Sequence, residues 1–182
     1  MDRRQRRSRE AIFSAFTQLL ERKDFSRITV EEIIQKADVG RSTFYAHFET
    51  KESLLQALCD ELFCHVFDVI DHHTDHRHIF QCNNTEPVFE HLFRHLMTND
   101  HNLLRLLSCP NNALFLSYFR SGLEQVALRQ LPLFESRKDP RLPDSFWVDH
   151  IASTFVETVR WWVAHGMQES PETMTAYFFM AV

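Results

Sequence analysis

The sequence predicts an all-α protein, and three observations support this fold class. Glycine and proline, which interrupt helices, number only 3 and 6 among 182 residues. Apolar residues recur every three or four positions along most of the chain, as on one face of a helix. No stretch alternates between apolar and polar residues as a strand does. We predict about nine helices, divided into a small three-helix domain (residues 1–50) and a larger helical domain (residues 51–182).

The first two helices follow from an apolar stripe and a cap. Apolar residues spaced three and four apart predict a helix over residues 8–22. Thr29 and Glu32 then have the spacing of a capping box, in which Thr29 accepts from the backbone N–H of Glu32 and the Glu32 side chain reaches back. This pair predicts the start of a short helix over residues 30–37.

A third short helix follows after the break at residues 38–40 and runs from Arg41 to Phe48. Phe44 and Phe48 are four residues apart, so both are expected to face inward. The other side chains of this helix and of the next helix start form a polar set with one small residue, consisting of Arg41, Ser42, Thr43, Tyr45, Ala46, His47 and Lys51. Two short helices with a tight break are typical of a helix-turn-helix, whose second helix enters the major groove of DNA.

The second domain begins with a helix of about twenty residues from Lys51, long enough to bridge the two domains. Further helices are predicted at residues 86–96, 103–107, 114–131, 146–165 and 170–178. Asp144 or Ser145 is expected to cap the helix over 146–165, and Gly166 is expected to end it. Residues 72–85 lack the periodicity and are predicted to be a loop or a frayed helix end, and residues 136–143 are predicted to be a polar linker that contains proline.

The charge is unevenly distributed along the chain. The net charge is -5, which by itself argues against a nucleic-acid partner. Residues 1–52, however, contain 11 Lys and Arg against 9 Asp and Glu, a net of +2. Because screening limits charge interactions to about 10 Å, a local basic patch on an acidic protein can still hold phosphates.

The polar set has the chemistry that groove binding needs. Arg41 can donate two hydrogen bonds to guanine, and the small Ala46 can contact a thymine methyl group. Ser42 and Thr43 can meet bases or phosphates. Tyr45, His47 and Lys51 can donate to phosphates.

The run ITVEEIIQKADVGRSTFYAHFETKESLL, residues 28–55, resembles the DNA-binding signature of TetR-type repressors. The resemblance implies groove contacts from Arg41, Ser42, Thr43 and Ala46, and phosphate contacts from Thr43, Tyr45, His47 and Lys51; Thr29 completes the predicted DNA-binding set. The run departs from the family pattern at its turn, where Asp38-Val39-Gly40 replaces Gly-Val-Ser. Glycine in place of the serine cap should cost only a few tenths of a kcal/mol, and Asp tolerates turn conformations.

The ending RWWVAHGMQESPETM, residues 160–174, resembles the C-terminal domain of one TetR-like subgroup. In that subgroup the last two long helices of each subunit form a four-helix dimer interface. The resemblance implies a homodimer, with an interface predicted at Ile151, Phe155, Val159, Trp162, Met174, Tyr177 and Phe178. Because neighbours on a helix are 100° apart, Trp161 and Trp162 cannot both face one core. One of them is expected to face the subunit interior, and the other either faces the partner or is simply half exposed.

The many aromatic residues of the second domain offer two interpretations. They could line an apolar cavity for a small-molecule effector, or they could be ordinary core residues. The predicted pocket set is Phe63, Phe67, Phe89, Phe93, Phe115, Phe119, Trp147 and Phe155.

The histidine-rich run at residues 72–78 suggests a metal-responsive alternative. His72 and His76 are four residues apart and could share a metal ion, with Cys59, Cys64 and His65 on the preceding helix. Short histidine-rich tracts are also common as solvated linkers. We therefore predict no metal and no cofactor, and keep these residues as the alternative.

Together these features predict a sequence-specific, DNA-binding transcription regulator, a repressor released by a small ligand. The absence of a glycine-rich phosphate loop or a nucleophile elbow argues against an enzyme. No apolar run is long enough for a membrane span, and no signal-peptide stretch follows the basic start. We expect a cytoplasmic protein with no membrane partner, whose four cysteines are free thiols.

Overall fold

The computed structural model describes residues 3–70, 87–98, 107 and 113–182. Within these ranges the chain forms eight α-helices and two short 3-10 helices, and no strand. The all-α prediction is confirmed. Of the additional helix predicted at residues 103–107, only Leu107 belongs to the described part, where it is helical and buried.

Helix α1 (Arg3–Leu20) begins earlier than its apolar stripe indicated. Arginine is a good helix former, and Arg6 pairs with Glu10 one turn later, with Nε 3.6 Å from Oε1. The basic segment therefore continues the helix instead of preceding it, and its exposed arginines project along the same axis. The stripe of α1 is buried at Ile12, Phe13 and Phe16.

Helix α2 (Val30–Ala37) starts with the predicted capping box. The backbone N–H of Glu32 donates to Thr29 Oγ1 at 3.3 Å, and the backbone N–H of Thr29 donates to Glu32 Oε2 at 3.1 Å. The helix ends at Asp38, whose φ of 51° and ψ of 48° place it in the left-handed region. The turn conformation expected of this aspartate is therefore present.

Helix α3 (Arg41–His47) has Gly40 as its N-cap residue, which forms no side-chain hydrogen bond to the helix. It is held from behind by the two predicted phenylalanines, since Phe44 is fully buried and Phe48 is 5% exposed. The Phe48 ring meets Phe13 of α1 edge to face, with centroids 5.4 Å apart. These rings orient α3 so that its polar side faces outward.

Helix α4 (Lys51–Ile70) leads from the first three helices into the rest of the chain. Its first residue is bonded to the turn before α2: Lys51 Nζ donates to the carbonyl oxygens of Phe25 at 3.1 Å and of Ile28 at 2.9 Å. Further along α4, Glu61 forms an ion pair with Arg9 of α1. These two ties fix α4 against the first three helices.

Helix α4 packs with the helices of the remaining chain, of which four are described. They are α5 (Val88–Thr98), α6 (Ala113–Arg129), α7 (Asp144–Ala164) and α8 (Pro171–Ala181). Helix α4 packs on α5 and α6, α6 packs on α7, and α8 lies against both α5 and α7. At the crossing of α4 and α6 the helices approach closely, because a Cβ atom on Gly122 would lie 2.1 Å from the Phe63 ring.

The ends of α7 correct one expectation and match another. Asp144 and Ser145 do not cap this helix: Pro143 holds the cap position, and Asp144 lies in the first turn and pairs with Lys138. Proline fits there because its fixed φ suits a helix start and it lacks only an N–H. At the other end, Gly166 has a φ of +74°, and the N–H of Met167 donates to Trp162 O at 3.0 Å, which closes a Schellman motif.

Candidate nucleic-acid interface

The outer side of α3 presents the side chains that the sequence singled out. Arg41, Ser42, Tyr45 and Ala46 are exposed, and Thr43 and His47 are half-buried. Tyr45 leaves 50% of its surface exposed although it is aromatic, and its ring forms a T-shaped pair with that of its neighbour Phe44, with centroids 5.4 Å apart. An exposed tyrosine on a helix with two buried phenyl rings is a side chain available to a partner.

Helix α1 and helix α3 together enclose a cleft of about 360 Å³. Arg4, Gln5 and Ser8 line it from α1, and they face Ser42, Thr43, Ala46 and His47 of α3. Sequence reasoning missed Gln5 and Ser8, because it started α1 at residue 8. The signal that could have found them is the spacing of Arg4 and Ser8, four residues apart on one helix face.

His47 is held at the edge of this cleft. Its Nε2 lies 2.7 Å from Ser8 Oγ, within hydrogen-bond distance. Desolvation lowers the pKa of His47, and the nearby positive charge of Arg9 lowers it further. His47 is therefore a neutral imidazole near pH 7 and stays so until a negative charge approaches.

Arg41 is the most exposed cation of α3, and it has an exchangeable partner. Its NH2 group lies 2.9 Å from Oε2 of Glu31, which is in the first turn of α2. Both side chains are exposed, and ion pairs of this kind contribute about 0–1 kcal/mol. A guanine edge or a phosphate could replace Glu31 at little cost.

Two members of the predicted DNA-binding set have structural partners instead. The ammonium of Lys51 donates to three backbone carbonyls, those of Phe25, Ser26 and Ile28, and lies 4.7 Å from the centroid of the Phe25 ring. The Thr29 hydroxyl is used in the capping box, where it accepts from the backbone N–H of Glu32 and donates to the Glu32 carboxylate. In this chain both residues fix the start of α2 and α4, and their phosphate contacts stay predictions.

The predicted pocket residues pack against one another. All but Phe67 are buried, and Phe67 lies beneath the guanidinium of Arg129, 4.3 Å from its ring centroid. One group joins Phe63, Phe115 and Phe119, and another joins Phe89, Phe93 and Phe155, with centroid distances of 4.6 to 5.9 Å within the groups. Trp147 is 6% exposed. These contacts give the aromatic set a core role, and a ligand pocket stays a prediction.

The residues predicted for the dimer interface are mostly buried in the single chain, and the interface stays a prediction. Six of the seven are buried inside the single chain, and only Tyr177 is exposed; the six are Ile151, Phe155, Val159, Trp162, Met174 and Phe178. Side chains in the subunit core have no surface to offer a second subunit. The neighbouring tryptophans do divide as expected in direction: the Trp162 indole N–H donates to Glu169 O at 3.1 Å inside, and Trp161 is 42% exposed.

The exposed side of α7 and α8 forms an apolar groove of about 440 Å³. Trp161 and Tyr177 lie on its walls with ring centroids 6.1 Å apart, and Trp161 stacks on His165 at 4.3 Å. Met180, at 78% exposure, follows Tyr177 by three residues on α8. The exposed apolar residues of α7 and α8 lie on the same two helices as the predicted interface residues, but on their outer side.

The metal alternative falls largely outside the described residues, which include neither His72 nor His76. Cys59 is buried, and burial raises the pKa of its thiol, so that it stays protonated. Cys64 is exposed. His65 is buried and faces α5.

Comparisons with known proteins identify the class. Residues 12–58 match a family model described as bacterial regulatory proteins of the tetR family, and residues 83–182 match one described as a transcriptional regulator C-terminal region. A TetR transcriptional regulator from Streptococcus agalactiae has a solved structure that is 33% identical, with a TM-score of 0.74, covering 98% of this chain and 95% of that one. FadR from Bacillus subtilis, solved with stearoyl-CoA, is 18% identical with a TM-score of 0.60 and covers 94% and 96%.

The curated relatives match about a third of the chain. The transcriptional regulator YxbF of Bacillus subtilis (strain 168) is 41% identical over 71 residues, 36% of this chain and 19% of that protein. The chain thus spans about a fifth of the length of this relative. Taken together, the two family models cover most of the chain, so the chain belongs to the TetR family of DNA-binding transcriptional regulators, which are not enzymes. Among the described helices none is long and apolar enough to cross a lipid bilayer.

Proposed function

We propose that this regulator binds a specific duplex operator as a homodimer, represses transcription there, and is released by a small-molecule effector. The observation that carries the proposal is the polar outer side of α3, mounted on the buried Phe44 and Phe48 and continued by the basic start of α1. A short helix with this surface fits the major groove, and the arginines of α1 lie where they can meet the adjoining phosphates.

The contacts can be assigned by chemistry. Arg41 reads a guanine through two donors after leaving Glu31, and Ser42 and Ala46 face neighbouring base edges. Tyr45 and Thr43 donate to phosphates and set the register. His47 joins them when the approach of a phosphate favours its charged form.

A gel-shift series on the DNA upstream of the gene tests these contacts. Arg41→Ala combined with Tyr45→Ala should weaken specific binding by about 100-fold or more, since a bidentate base contact alone is worth about 1–3 kcal/mol. Arg141→Ala is the matched control, because Arg141 is also exposed and paired with a carboxylate, that of Asp139, in the loop before α7. Equal binding by the double variant and the control would contradict the assignment.

Dimerisation is proposed on the exposed groove of α7 and α8. A two-fold dimer places two copies of α3 on successive major grooves, about 34 Å apart. The exposed Trp161, Tyr177 and Met180 give this surface the aromatic and methionine content typical of interface cores.

An effector is proposed to act through α4, the helix bound to both domains. FadR of Bacillus subtilis binds stearoyl-CoA in its solved complex, so this ligand is the first probe for the present chain. We expect an effector to favour a conformation of residues 51–182 in which α4 is shifted. The distance between the two α3 helices of the dimer would then no longer match successive major grooves. Stearoyl-CoA that lowers operator affinity in the gel shift would support this choice, and no effect would exclude it as the effector.

A further inference from the structure

Three histidines form a buried cluster between α4 and α5, away from α3. His65 comes from α4, and His91 and His95 lie one turn apart on α5. Their exposures are 0%, 1% and 3%, and within the described part of the chain they are the buried polar or charged side chains. Burying three imidazoles together in an apolar core is costly unless their nitrogens are satisfied.

The Nε2 atoms of His65 and His95 both lie close to Nε2 of His91. Nε2 of His91 lies 3.2 Å from Nε2 of His65 and 3.1 Å from Nε2 of His95, and the potential ligand atoms all lie within 4.8 Å of one another. In a tetrahedral site with metal–nitrogen bonds of 2.0–2.1 Å, neighbouring ligand nitrogens are about 3.3–3.4 Å apart. The two Nε2–Nε2 distances that involve His91 are therefore close to the distance between neighbouring ligands of one ion.

Hydrogen bonding within the cluster explains this arrangement less well. A ring nitrogen carries either one proton or one lone pair in the ring plane. Nε2 of His91 therefore cannot make two well-aligned hydrogen bonds, one to each neighbour, at once. A metal ion accepts the lone pairs of all three Nε2 atoms together.

We propose that His65, His91 and His95 bind a single divalent transition-metal ion of the zinc class through their Nε2 atoms. Among the described residues the cluster contains three imidazoles and no carboxylate. Such a ligand set suits zinc better than calcium or magnesium, which prefer oxygen ligands. The histidines differ from the His72 and His76 pair considered in the sequence. The ion would join α4 to α5, and its binding does not depend on the proposed operator contacts.

Zinc and cobalt titrations of the chelator-treated full-length protein test the proposal directly. We expect one equivalent of Zn²⁺ or Co²⁺ to bind, and X-ray absorption to show three imidazole nitrogens at about 2.0–2.1 Å from zinc. Zinc at 100 times its Kd should raise Tm by roughly 5–10 °C. Absence of stoichiometric binding, or sulfur in the coordination sphere, would overturn the proposal.

Variants locate the ion. His91→Leu should reduce zinc affinity by at least about 100-fold, since even the loss of an outer-shell partner costs 10–100-fold. His165→Leu changes an exposed histidine at the C-terminal cap of α7 and should leave zinc affinity unchanged, as should the double variant His72→Ala and His76→Ala. If His91→Leu does not fold, His95→Gln and the absorption measurement on the unaltered protein decide. Affinity kept by the cluster variants, or lost in the double variant, would refute the site.

Discussion

Arg41 and His47 both have partners in the isolated chain that a DNA backbone can displace. Arg41 is paired with the exposed Glu31, and His47 is bonded to Ser8 at the rim of the cleft. The residue types of α3 were predictable, because a short amphipathic helix with two inward phenylalanines leaves its polar residues only one side. The partners were not, since Glu31 and Ser8 are brought near by the tertiary fold and not by sequence spacing.

His47 should titrate below its ordinary pKa of 6.5. Burial and Arg9 disfavour the charged imidazole in the folded state, so the unfolded chain binds more protons as the pH falls below 6.5. The stability that this residue contributes is complete above pH 6.5 and is lost on acidification towards the folded pKa. An NMR titration of the His47 ring measures the midpoint.

Arg9→Gln provides the matched variant for this titration. Removing the positive charge should move the His47 midpoint part of the way back towards 6.5, and operator DNA should raise it further through its phosphates. A midpoint at or above 6.5 in the unaltered, DNA-free protein would contradict the buried position of the ring.

Helix starts and helix crossings are the features of the element scale. The capping box at Thr29 was predictable from four residues because its hydrogen bonds are local. The start of α1 was missed because an arginine-rich segment has no apolar stripe, and the start of α7 because Pro143 took the place expected for Asp144. Apolar periodicity indicates which residues of a helix are buried, and it gives no signal for a helical segment that is exposed to solvent on all sides.

Thr29→Ala should destabilise the protein by about 1 kcal/mol, because the first turn of α2 loses the acceptor for the Glu32 N–H. Thr29→Ser keeps the hydroxyl and should stay within a few tenths of a kcal/mol of the original protein. Urea unfolding of the three proteins measures the difference. Equal stability of the alanine and serine variants would mean that the capping box contributes nothing.

Gly122→Ala should destabilise the α4–α6 crossing. The new methyl group would overlap the Phe63 ring, and overpacking of this kind costs about 1–3 kcal/mol, offset by about 1 kcal/mol of helix propensity. In a Phe63→Leu background the ring edge is gone, so the same alanine should cost less or stabilise. A double-mutant cycle by urea unfolding measures the coupling. Simple additivity of the two changes would show that the helices separate freely.

The whole molecule determines which surface remains for a second subunit. The sequence indicated that the last two helices carry apolar residues on more than one side, but it could not tell which stripe α5 and α6 would cover. The structure buries Ile151 and Trp162 against those neighbours and leaves Trp161 and Tyr177 outside. An interface between subunits depends on the apolar residues that stay exposed after folding, and only the complete fold shows which residues these are.

Trp161→Glu should convert the proposed dimer into monomers. In a two-fold interface the change occurs twice, and the loss of about 2 kcal/mol at each hot spot would raise the dimer Kd by roughly 1000-fold. Leu128→Glu changes an exposed apolar residue of α6 and should leave the dimer intact. Analytical ultracentrifugation distinguishes the outcomes, and an unchanged dimer in Trp161→Glu would place the interface elsewhere.

Helix α4 belongs to both halves of the protein, because Lys51 and Glu61 fasten it to the first three helices while the same helix packs on α5 and α6. A chimaera that joins a foreign effector domain at residue 50 would discard the donor for the Phe25 and Ile28 carbonyls and the carboxylate that pairs with Arg9. A DNA-binding module taken from this regulator should therefore include the chain at least as far as Glu61. The fusion point then lies inside α4, so the partner domain must begin with a segment that can continue this helix.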